Sequence, residues 1–450
     1  MKKILLTLSL VCTSLAAQVS SSSTDGTNPN TSGSPDRSSN PVVEWNRALL
    51  VIVRTPGAQS PTIHPTRSFA IMHAAIYDAV NSIDRTHKPY FVKLTGVSRK
   101  ASEAAAADAA AHAVLAALYP DFRKTLDDQL EQMLDEIPDS PGKNQGIRVG
   151  ATVADDILDA RSGDGSNIEA PPFVFGLAAG EYQSTPPNFP KPQFTEWSRV
   201  TPFTLERASQ FRPGPPPGLT STTYTEAFNE VEALGIANST AATAEQALTG
   251  HFWNGAIQNY WNEIAQTAVV GSRLSLPESA RLFALLNLSF ADDVIAFYDA
   301  KYTYILWRPV TAIRAANIDN NPDTVINPNW LPAVRNTTPD PSYPGAHAVI
   351  SASGALVLKS FFPRDHFSFK VTSEVMPGVE RTFDSFSAAR DEATLSRIFA
   401  GVHFRSDLTT GRDLGEDIAD FVLKHFLQSR DRDEDLTRRD DRLPASATGR

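Results

Sequence analysis

The chain has 450 residues, with 41 Lys and Arg, 51 Asp and Glu and one Cys, which gives a formal charge of −10. That length suffices for one large domain or two to three average ones, and the 41% hydrophobic content is enough for a packed core. An acidic chain lacks the basic face that a general nucleic-acid or anionic-membrane binder needs. A single Cys excludes an internal disulfide framework, Fe–S clusters and Cys-ligated zinc.

Residues 1–17 predict a secretory signal peptide. Lys2 and Lys3 form a basic start, residues 4–12 are apolar, and 14–16 give a small-x-small cleavage signal. Cleavage would remove Cys12 and both lysines, so the charge would change from −10 to −12. No other apolar run reaches the about 18 residues of a transmembrane helix. We therefore expect an exported protein, periplasmic or extracellular, with no membrane span.

Composition divides the rest of the chain into three parts. Residues 18–40 are rich in Ser, Thr and Asn and predict a disordered tether, 41–429 predict one large all-α domain, and 430–450 predict a charged disordered tail. Within the domain, 164–222 contain 11 of the 32 prolines and predict an irregular excursion packed over the helices. Residues 366–384 alternate like strands and predict at most a small hairpin.

Two helix starts stand out in the domain. Thr66 is a candidate N-cap for a helix whose apolar stripe runs from Phe69 to Ile83 at 3/4 spacing. Residues 275–278, Ser-Leu-Pro-Glu, have the pattern of a capping box and predict a long helix to roughly Ala300.

Lys301 and Arg308 are the first candidate site residues. Seven residues make two helical turns, so a helical segment would project both cations from nearly the same face. Adjacent cations repel unless an anion lies between them; the alternative is two separate surface cations.

Asp292 and Asp293 lie in an apolar stretch where an unpaired carboxylate is costly. One of them is therefore a candidate partner for Arg308 or Arg397.

His347 follows a Pro-Gly turn at 344–345 and precedes an apolar helical stretch. This pattern predicts a His and free backbone N–H groups at a helix N-terminus, where the dipole favours an oxyanion and lowers the His pKa. Such a His suits proton transfer near neutrality. By itself, a His near a helix start is also common without any function.

A third segment contains Arg397, His403 and Asp407. Gly401 predicts a helix end that lets Arg397 and His403 face one point. Asp407, four residues after His403, could hold one imidazole nitrogen and raise the basicity of the other, as a nucleophilic or metal-ligating His requires. The alternative is a core histidine and an arginine paired with a nearby carboxylate. Together the six side chains suit a tetrahedral or trigonal-bipyramidal oxyanion.

The order K-x6-R-P, P-x-x-H and S-R-x3-G-x-H-x3-D resembles the motif set of the vanadium-dependent haloperoxidase and type 2 phosphatidic-acid phosphatase superfamily. The stretches RSFAIMHAAIYDAVNSI, HFWNGAIQNYWNEIA and ARLFALLNLSFADDVIAFYDAKYTYILWRPVTAIR are similar to its bacterial haloperoxidase-related branch. The resemblance covers residues 43–428. It implies a large helical bundle in which the three segments meet at a buried oxyanion.

The resemblance also implies a role for each motif residue. His403 would ligate vanadium, or attack phosphorus in a phosphatase, while His347 would be the general acid–base and Asp407 would orient His403. The three motif cations would bind the equatorial oxygens of vanadate or phosphate: Lys301, Arg308 and Arg397.

One motif departs from the family pattern. Where P-S-G-H is usual, this chain has Pro344, Gly345, Ala346 and His347, so a Ser hydroxyl that would donate to the oxyanion is missing. Loss of one such charge-assisted hydrogen bond costs about 1.5–3 kcal/mol. The Ala346 N–H can still bind the cofactor if the backbone is kept, but Ala is costly where φ is positive.

The implied function is that of an exported oxidoreductase. It would use vanadate and hydrogen peroxide to oxidise halide, with a small organic substrate as acceptor, and a homo-oligomer is left open. One alternative is an acid phosphatase that hydrolyses phosphate monoesters through a phospho-histidine. The other is a non-catalytic oxyanion-binding relative, suggested by the altered motif at 345–346.

Overall fold

The computed structural model describes residues 40–362 and 365–430, and helices dominate both ranges. The helices before residue 240 are α1 (Pro41–Arg54), α2 (Pro65–Asp84), α3 (Glu103–Leu118), α4 (Arg123–Asp135), α5 (Pro141–Arg161) and α6 (Thr222–Leu234). The later helices are α7 (Ala244–Phe252), α8 (Ile257–Ser272), α9 (Leu276–Tyr304), α10 (Pro309–Arg314), α11 (Ala346–Phe361), α12 (Phe386–Phe399) and α13 (Arg405–His425). The predicted leader over 1–17 lies outside the described residues, as do all but residue 40 of the tether predicted for 18–40 and all but residue 430 of the tail predicted for 430–450.

A two-stranded antiparallel sheet, β1 (Phe369–Thr372) and β2 (Glu380–Phe383), is the small hairpin predicted for 366–384. Three single 3-10 turns complete the regular structure of the described ranges: Pro120–Phe122, Trp197–Arg199 and Ala316–Ile318. The predicted all-α class is therefore confirmed. Among the helices of 40–362 and 365–430, none combines the length and the apolar character needed to cross a bilayer.

Helix α9 forms the centre of the packing. It packs against α2, α11 and α13, while α2 also contacts α3 and α5. Residues on all sides of this 29-residue helix are buried, as expected for a helix enclosed by other helices. Its last turn carries Lys301, so the core helix itself delivers one cation of the predicted site.

The two predicted helix starts differ in outcome. The capping box at the start of α9 is present: Ser275 Oγ accepts from the Glu278 N–H at 3.4 Å, and Glu278 Oε2 accepts from the Ser275 N–H at 3.1 Å. Thr66, however, is not an N-cap. Helix α2 begins at Pro65, whose fixed φ suits the first helical position, and the His64 side chain accepts from the Thr66 N–H at 3.4 Å.

The Pro-rich excursion predicted for 164–222 contains only one 3-10 turn before α6 begins at Thr222, and it runs over the helices, as predicted. Asp292 of α9 holds it in place by accepting the N–H groups of Phe203 (2.6 Å), Thr204 (2.7 Å) and Leu205 (3.0 Å). The expectation that Asp292 or Asp293 pairs with Arg308 or Arg397 is wrong. Asp292 binds this backbone, and neither oxygen of the buried Asp293 has a hydrogen-bond partner.

The same excursion clamps the chain between the first two predicted cations. The Tyr182 N–H donates to the Ile305 carbonyl at 2.7 Å, and the Trp307 N–H donates to the Gly180 carbonyl at 2.8 Å. Residues 305–307 are therefore held as a non-helical link rather than as more helix.

Candidate oxyanion-binding active site

Lys301 and Arg308 do not lie on one helix face. Helix α9 ends at Tyr304, Ile305 adopts a left-handed φ of +44°, and Arg308 is the N-cap of α10. The segment from 301 to 308 is therefore not one helix, which was the condition for a shared face. The link over 305–307 pairs with the excursion, and Pro309 disfavours helical backbone at the residue before it.

The two cations nevertheless meet, because both contact Asp340. Asp340 Oδ1 accepts from Lys301 Nζ at 3.3 Å and also from Arg308 Nη2. The Asp340 backbone carbonyl accepts from Arg308 Nε at 2.8 Å. Lys301 and Arg308 are 0% and 1% exposed, so this ion pair is shielded from water. Burial lowers the pKa of Lys301 to about 8, while Asp340 acts in the opposite direction.

His403 is held by Asp407 through one imidazole nitrogen. Nδ1 lies 3.0 Å from Asp407 Oδ2, and Nε2 lies 3.1 Å from Arg308 Nη1. Since a carboxylate accepts and a guanidinium donates, we assign the proton to Nδ1 and the lone pair to Nε2. Burial and the neighbouring cations, Arg308 first among them, lower the pKa of His403 far below its ordinary value. The imidazole is therefore neutral near pH 7.

Asp407 is fixed by two further donors to the same oxygen. Ser342 Oγ donates to Oδ2 at 2.6 Å and the Phe404 N–H donates to it at 3.0 Å, whereas Oδ1 is buried without a partner. Burial raises the pKa of Asp407 to about 6, against the effect of the Ser342 hydrogen bond. Near neutral pH this carboxylate is ionised and fixes the tautomer of His403.

The altered motif forms a tight helix start. Gly345 is the N-cap of α11, and a Cβ built there would lie 2.9 Å from Leu408 Cδ2. Ala346 is the first residue of α11 and is not among the residues with positive φ, so the backbone penalty considered for Ala does not arise. The N–H groups of Ala346 and His347 are at the helix N-terminus, where intrahelical acceptors are lacking.

His347 and Arg397 are joined by one backbone carbonyl. His347 Nε2 lies 2.9 Å from the Trp253 carbonyl oxygen, to which Arg397 Nη1 also donates at 3.5 Å. A carbonyl only accepts, so His347 carries its proton on Nε2 and leaves Nδ1 as an acceptor. Burial and the Arg397 charge lower the pKa of His347 well below its ordinary value. His347 is half-buried, unlike the fully enclosed His403.

Arg397 is the least satisfied cation of the site. It is 4% exposed, its Nη2 donates to Asn254 Oδ1 at 3.2 Å, and its Nε has no partner. Burial, then repulsion by Arg308, lower its pKa to about 9, which still leaves it charged.

Gly401, with φ of +79°, turns the chain after α12, and a Cβ there would lie 2.2 Å from the Gly235 carbonyl oxygen. Only glycine fits this turn, which lies between Arg397 and His403.

Four residues of the site were missed by the sequence analysis: Asp340, Ser342, Trp253 and Asn254. The carbonyl of Trp253 carries no sequence signal, because every residue has one. Asp340 did have a signal, since buried cations require a counter-charge, and a carboxylate precedes the turn that carries His347.

Comparison with known proteins shows which fold this chain shares. Residues 281–432 match the family model of the VCPO second helical-bundle domain, and this range holds every predicted site residue. A solved structure described as the first bacterial vanadium-dependent iodoperoxidase superposes with a TM-score of 0.74 at 24% identity, over 89% of this chain and 100% of that one. The chain has the helical fold of the vanadium haloperoxidases. The predicted resemblance to this family is confirmed.

Further relatives match over a smaller share of this chain. The vanadium chloroperoxidase of Curvularia inaequalis is 25% identical over 303 residues, which is 51% of this chain and 49% of that protein. The matched region thus spans about half the length of the curated relative. An apo-type bacterial vanadium-dependent chloroperoxidase structure has a TM-score of 0.61 at 15% identity, over 82% of this chain and 94% of that one. The holo-type structure of a bacterial vanadium-dependent chloroperoxidase has a TM-score of 0.59 at 15% identity, over 87% of this chain and 95% of that one.

Proposed function

We propose that the protein is an exported vanadate-dependent haloperoxidase-like enzyme that oxidises halide with hydrogen peroxide. The observation that carries this proposal is the neutral His403, whose Nδ1 is held by Asp407 and whose Nε2 lies among buried cations. A deprotonated imidazole nitrogen is a common ligand of transition metals. The fold similarity to vanadium haloperoxidases favours vanadate over other oxyanions as the cofactor.

The donor set fits vanadate. Lys301, Arg308 and Arg397 are buried and outnumber the two buried carboxylates, Asp340 and Asp407, by one positive charge. The unpartnered Nε of Arg397 is a donor that the protein itself does not satisfy, and such a group is costly unless a ligand binds it. The first N–H groups of α11 add donors, although the Ser hydroxyl of the usual motif is missing.

Bound vanadate would supply a Lewis acid that polarises peroxide oxygen without a change of metal oxidation state. His403 would hold it through Nε2, and Arg397 would neutralise its charge. His347 would take a proton from hydrogen peroxide at Nδ1, because its Nε2–H is committed to the Trp253 carbonyl. Overall, one hydrogen peroxide, one halide and one proton give one hypohalous acid and one water. A small organic molecule would then accept the halogen.

A bromination assay tests this proposal. Protein loaded with orthovanadate would be supplied with hydrogen peroxide, an organic acceptor, and chloride, bromide or iodide in turn. We expect halogenation that depends on vanadate and disappears in His403→Ala. The control is His425→Ala, which alters an exposed His at the end of α13 and should keep the activity. Absence of vanadate-dependent turnover with all three halides would refute the activity.

A second candidate is an acid phosphatase acting on phosphate monoesters. It is favoured by the same Nε2 lone pair, 3.1 Å from a guanidinium that could bind phosphoryl oxygens, because such a nitrogen is also a nucleophile. Here His403 would form a phospho-histidine and His347 would serve the leaving group. Hydrolysis of an aryl phosphate that vanadate inhibits, without any halide oxidation, would select this alternative.

Export rests on the predicted leader over 1–17. N-terminal sequencing of the protein recovered outside the cytoplasm should start near residue 18. Recovery of the intact N-terminus from the cytoplasm alone would contradict the proposed localisation.

A further inference from the structure

Asp340 places a carboxylate on two of the three cations of the proposed oxyanion site. Its Oδ1 accepts from Lys301 Nζ at 3.3 Å and from Arg308 Nη2. Tyr298 adds a long hydrogen bond of 3.5 Å to Oδ2. Asp340 is 3% exposed, so the carboxylate is enclosed with both cations.

The ammonium group of Lys301 has no donor to spare. It has three N–H bonds, and the protein supplies three acceptors: Asp340 Oδ1, the Ser342 carbonyl at 3.2 Å, and the Pro341 carbonyl. An oxyanion can therefore gain a hydrogen bond from Lys301 only by replacing one of these acceptors. The carboxylate is the one on a rotatable side chain, whereas the two carbonyls belong to the backbone.

Arg308 is nearly as fully engaged. Its Nε donates to the Asp340 carbonyl at 2.8 Å, and Nη1 donates to the Val402 carbonyl at 2.9 Å and faces His403 Nε2 at 3.1 Å. With the contact from Nη2 to Asp340 Oδ1, four of its five N–H groups have protein acceptors. Arg397, in contrast, contacts only neutral oxygens and leaves Nε unpaired.

We propose that Asp340 is an internal counter-ion that competes with the oxyanion for Lys301 and Arg308 and thereby weakens its binding. The inference rests on the proposed function, since it concerns the same oxyanion site. A carboxylate and an oxyanion at the same buried cations repel each other strongly, because the surroundings screen charge poorly. Arg397, which has no such competitor, is the cation that binds an incoming oxyanion first.

Replacing Asp340 with Asn tests the competition, because Asn keeps the size and one acceptor oxygen but removes the charge. Orthovanadate and inorganic phosphate would each be titrated by isothermal calorimetry. We expect both to bind Asp340→Asn at least about tenfold more tightly than the unaltered protein, since removing a like charge is worth several-fold to many-fold in affinity. Arg397→Met should weaken binding of both anions with either residue at 340, because it removes the unpaired cation of the same site.

Asp164 offers a matched control. It too is a buried carboxylate between two cations, with Oδ2 at 2.7 Å from Arg67 Nε and 2.9 Å from Arg161 Nη2. It makes no contact with the oxyanion residues. Asp164→Asn should therefore leave the affinity for both anions within about twofold, as for independent sites.

Equal or weaker binding by Asp340→Asn would overturn the proposal, since a carboxylate that only positions Lys301 and Arg308 gives that result. Should the variant unfold, phosphate must restore its circular dichroism; failure to do so also contradicts competition. If no form of the protein binds either anion, the counter-ion role and the proposed site fail together. Tighter binding without halide oxidation in any form supports the counter-ion role and refutes only the proposed activity.

Discussion

Replacing Asp407 with Asn changes the acceptor that holds His403 while keeping its size. In the structure Oδ2 accepts from His403 Nδ1, Ser342 Oγ and the Phe404 N–H, whereas Oδ1 has no partner. The amide oxygen of Asn can take the place of Oδ2, but the NH2 group is then buried without an acceptor. The reverse orientation would set NH2 against three donors.

The expected losses of unfolding free energy and of vanadate affinity follow from these contacts. A hydrogen bond to a charged group contributes about 1.5–3 kcal/mol and a neutral one about 0.5–1.5, so the His403 bond loses about 1 kcal/mol. Burying the unsatisfied NH2 adds about 1–3 kcal/mol, and the unfolding free energy should fall by roughly 2–4 kcal/mol. Loss of the group that orients a metal ligand typically lowers metal affinity 10–100-fold, so we expect vanadate affinity to fall by about that factor.

Urea unfolding and calorimetric titration with vanadate measure the two effects separately. Ser342→Ala is the control, because it removes one donor to Oδ2 but keeps the charged acceptor, and it should weaken vanadate binding by less than about tenfold. Nitrogen NMR of the His ring should show Nδ1 protonated in the unaltered protein. Vanadate affinity unchanged in Asp407→Asn would refute the orienting role, and a proton found on Nε2 would refute the tautomer.

Three further predictions concern packing and charge. Gly345→Ser restores the hydroxyl of the usual motif, but its Cβ would lie 2.9 Å from Leu408 Cδ2. Thermal melts should show that the unfolding free energy falls by about 1–3 kcal/mol, and Leu408→Val should recover part of this loss. Burial raises the pKa of Asp108 to about 7. Because the pKa is raised in the folded state, the contribution of Asp108 to stability is lost as pH rises from about 4 through 7. In urea titrations, Asp108→Asn should have the same unfolding free energy as the unaltered protein near pH 4, and one larger by roughly 2–4 kcal/mol at pH 8. Asp292→Ala leaves the N–H groups of residues 203–205 without their acceptor, so the unfolding free energy should fall by at least about 3 kcal/mol. Limited trypsin digestion should then cut within the excursion first. An unchanged digestion pattern would contradict the anchoring role of Asp292.

Local chemistry made several features predictable. The capping box at Ser275 and Glu278 uses atoms three residues apart, and helical periodicity is likewise a short-range property, so both could be identified from the chain alone. The hydrogen bond between His403 and Asp407 also spans a single helical turn. The failed prediction for Thr66 was local as well, because Pro65 competes for the first helical position.

The motif residues depend on contacts that are distant in sequence. Their order along the chain identified Lys301, Arg308, His347, Arg397, His403 and Asp407 as one group. It did not reveal that the helix of Lys301 stops at Tyr304. That end depends on two backbone hydrogen bonds, one accepted by the Gly180 carbonyl and one donated by the Tyr182 N–H, more than 100 residues away in sequence.

The sequence by itself determined the all-α class, the six candidate side chains and the altered turn at Gly345, because periodicity, charge and glycine content are written residue by residue. Only the tertiary structure decided which acceptors those side chains meet. Asp340 lies 39 residues from Lys301 and 32 from Arg308, and no local pattern relates them. Buried cations must find a counter-charge wherever packing places one, so the partner that governs the charge of this site could be identified only from the folded chain.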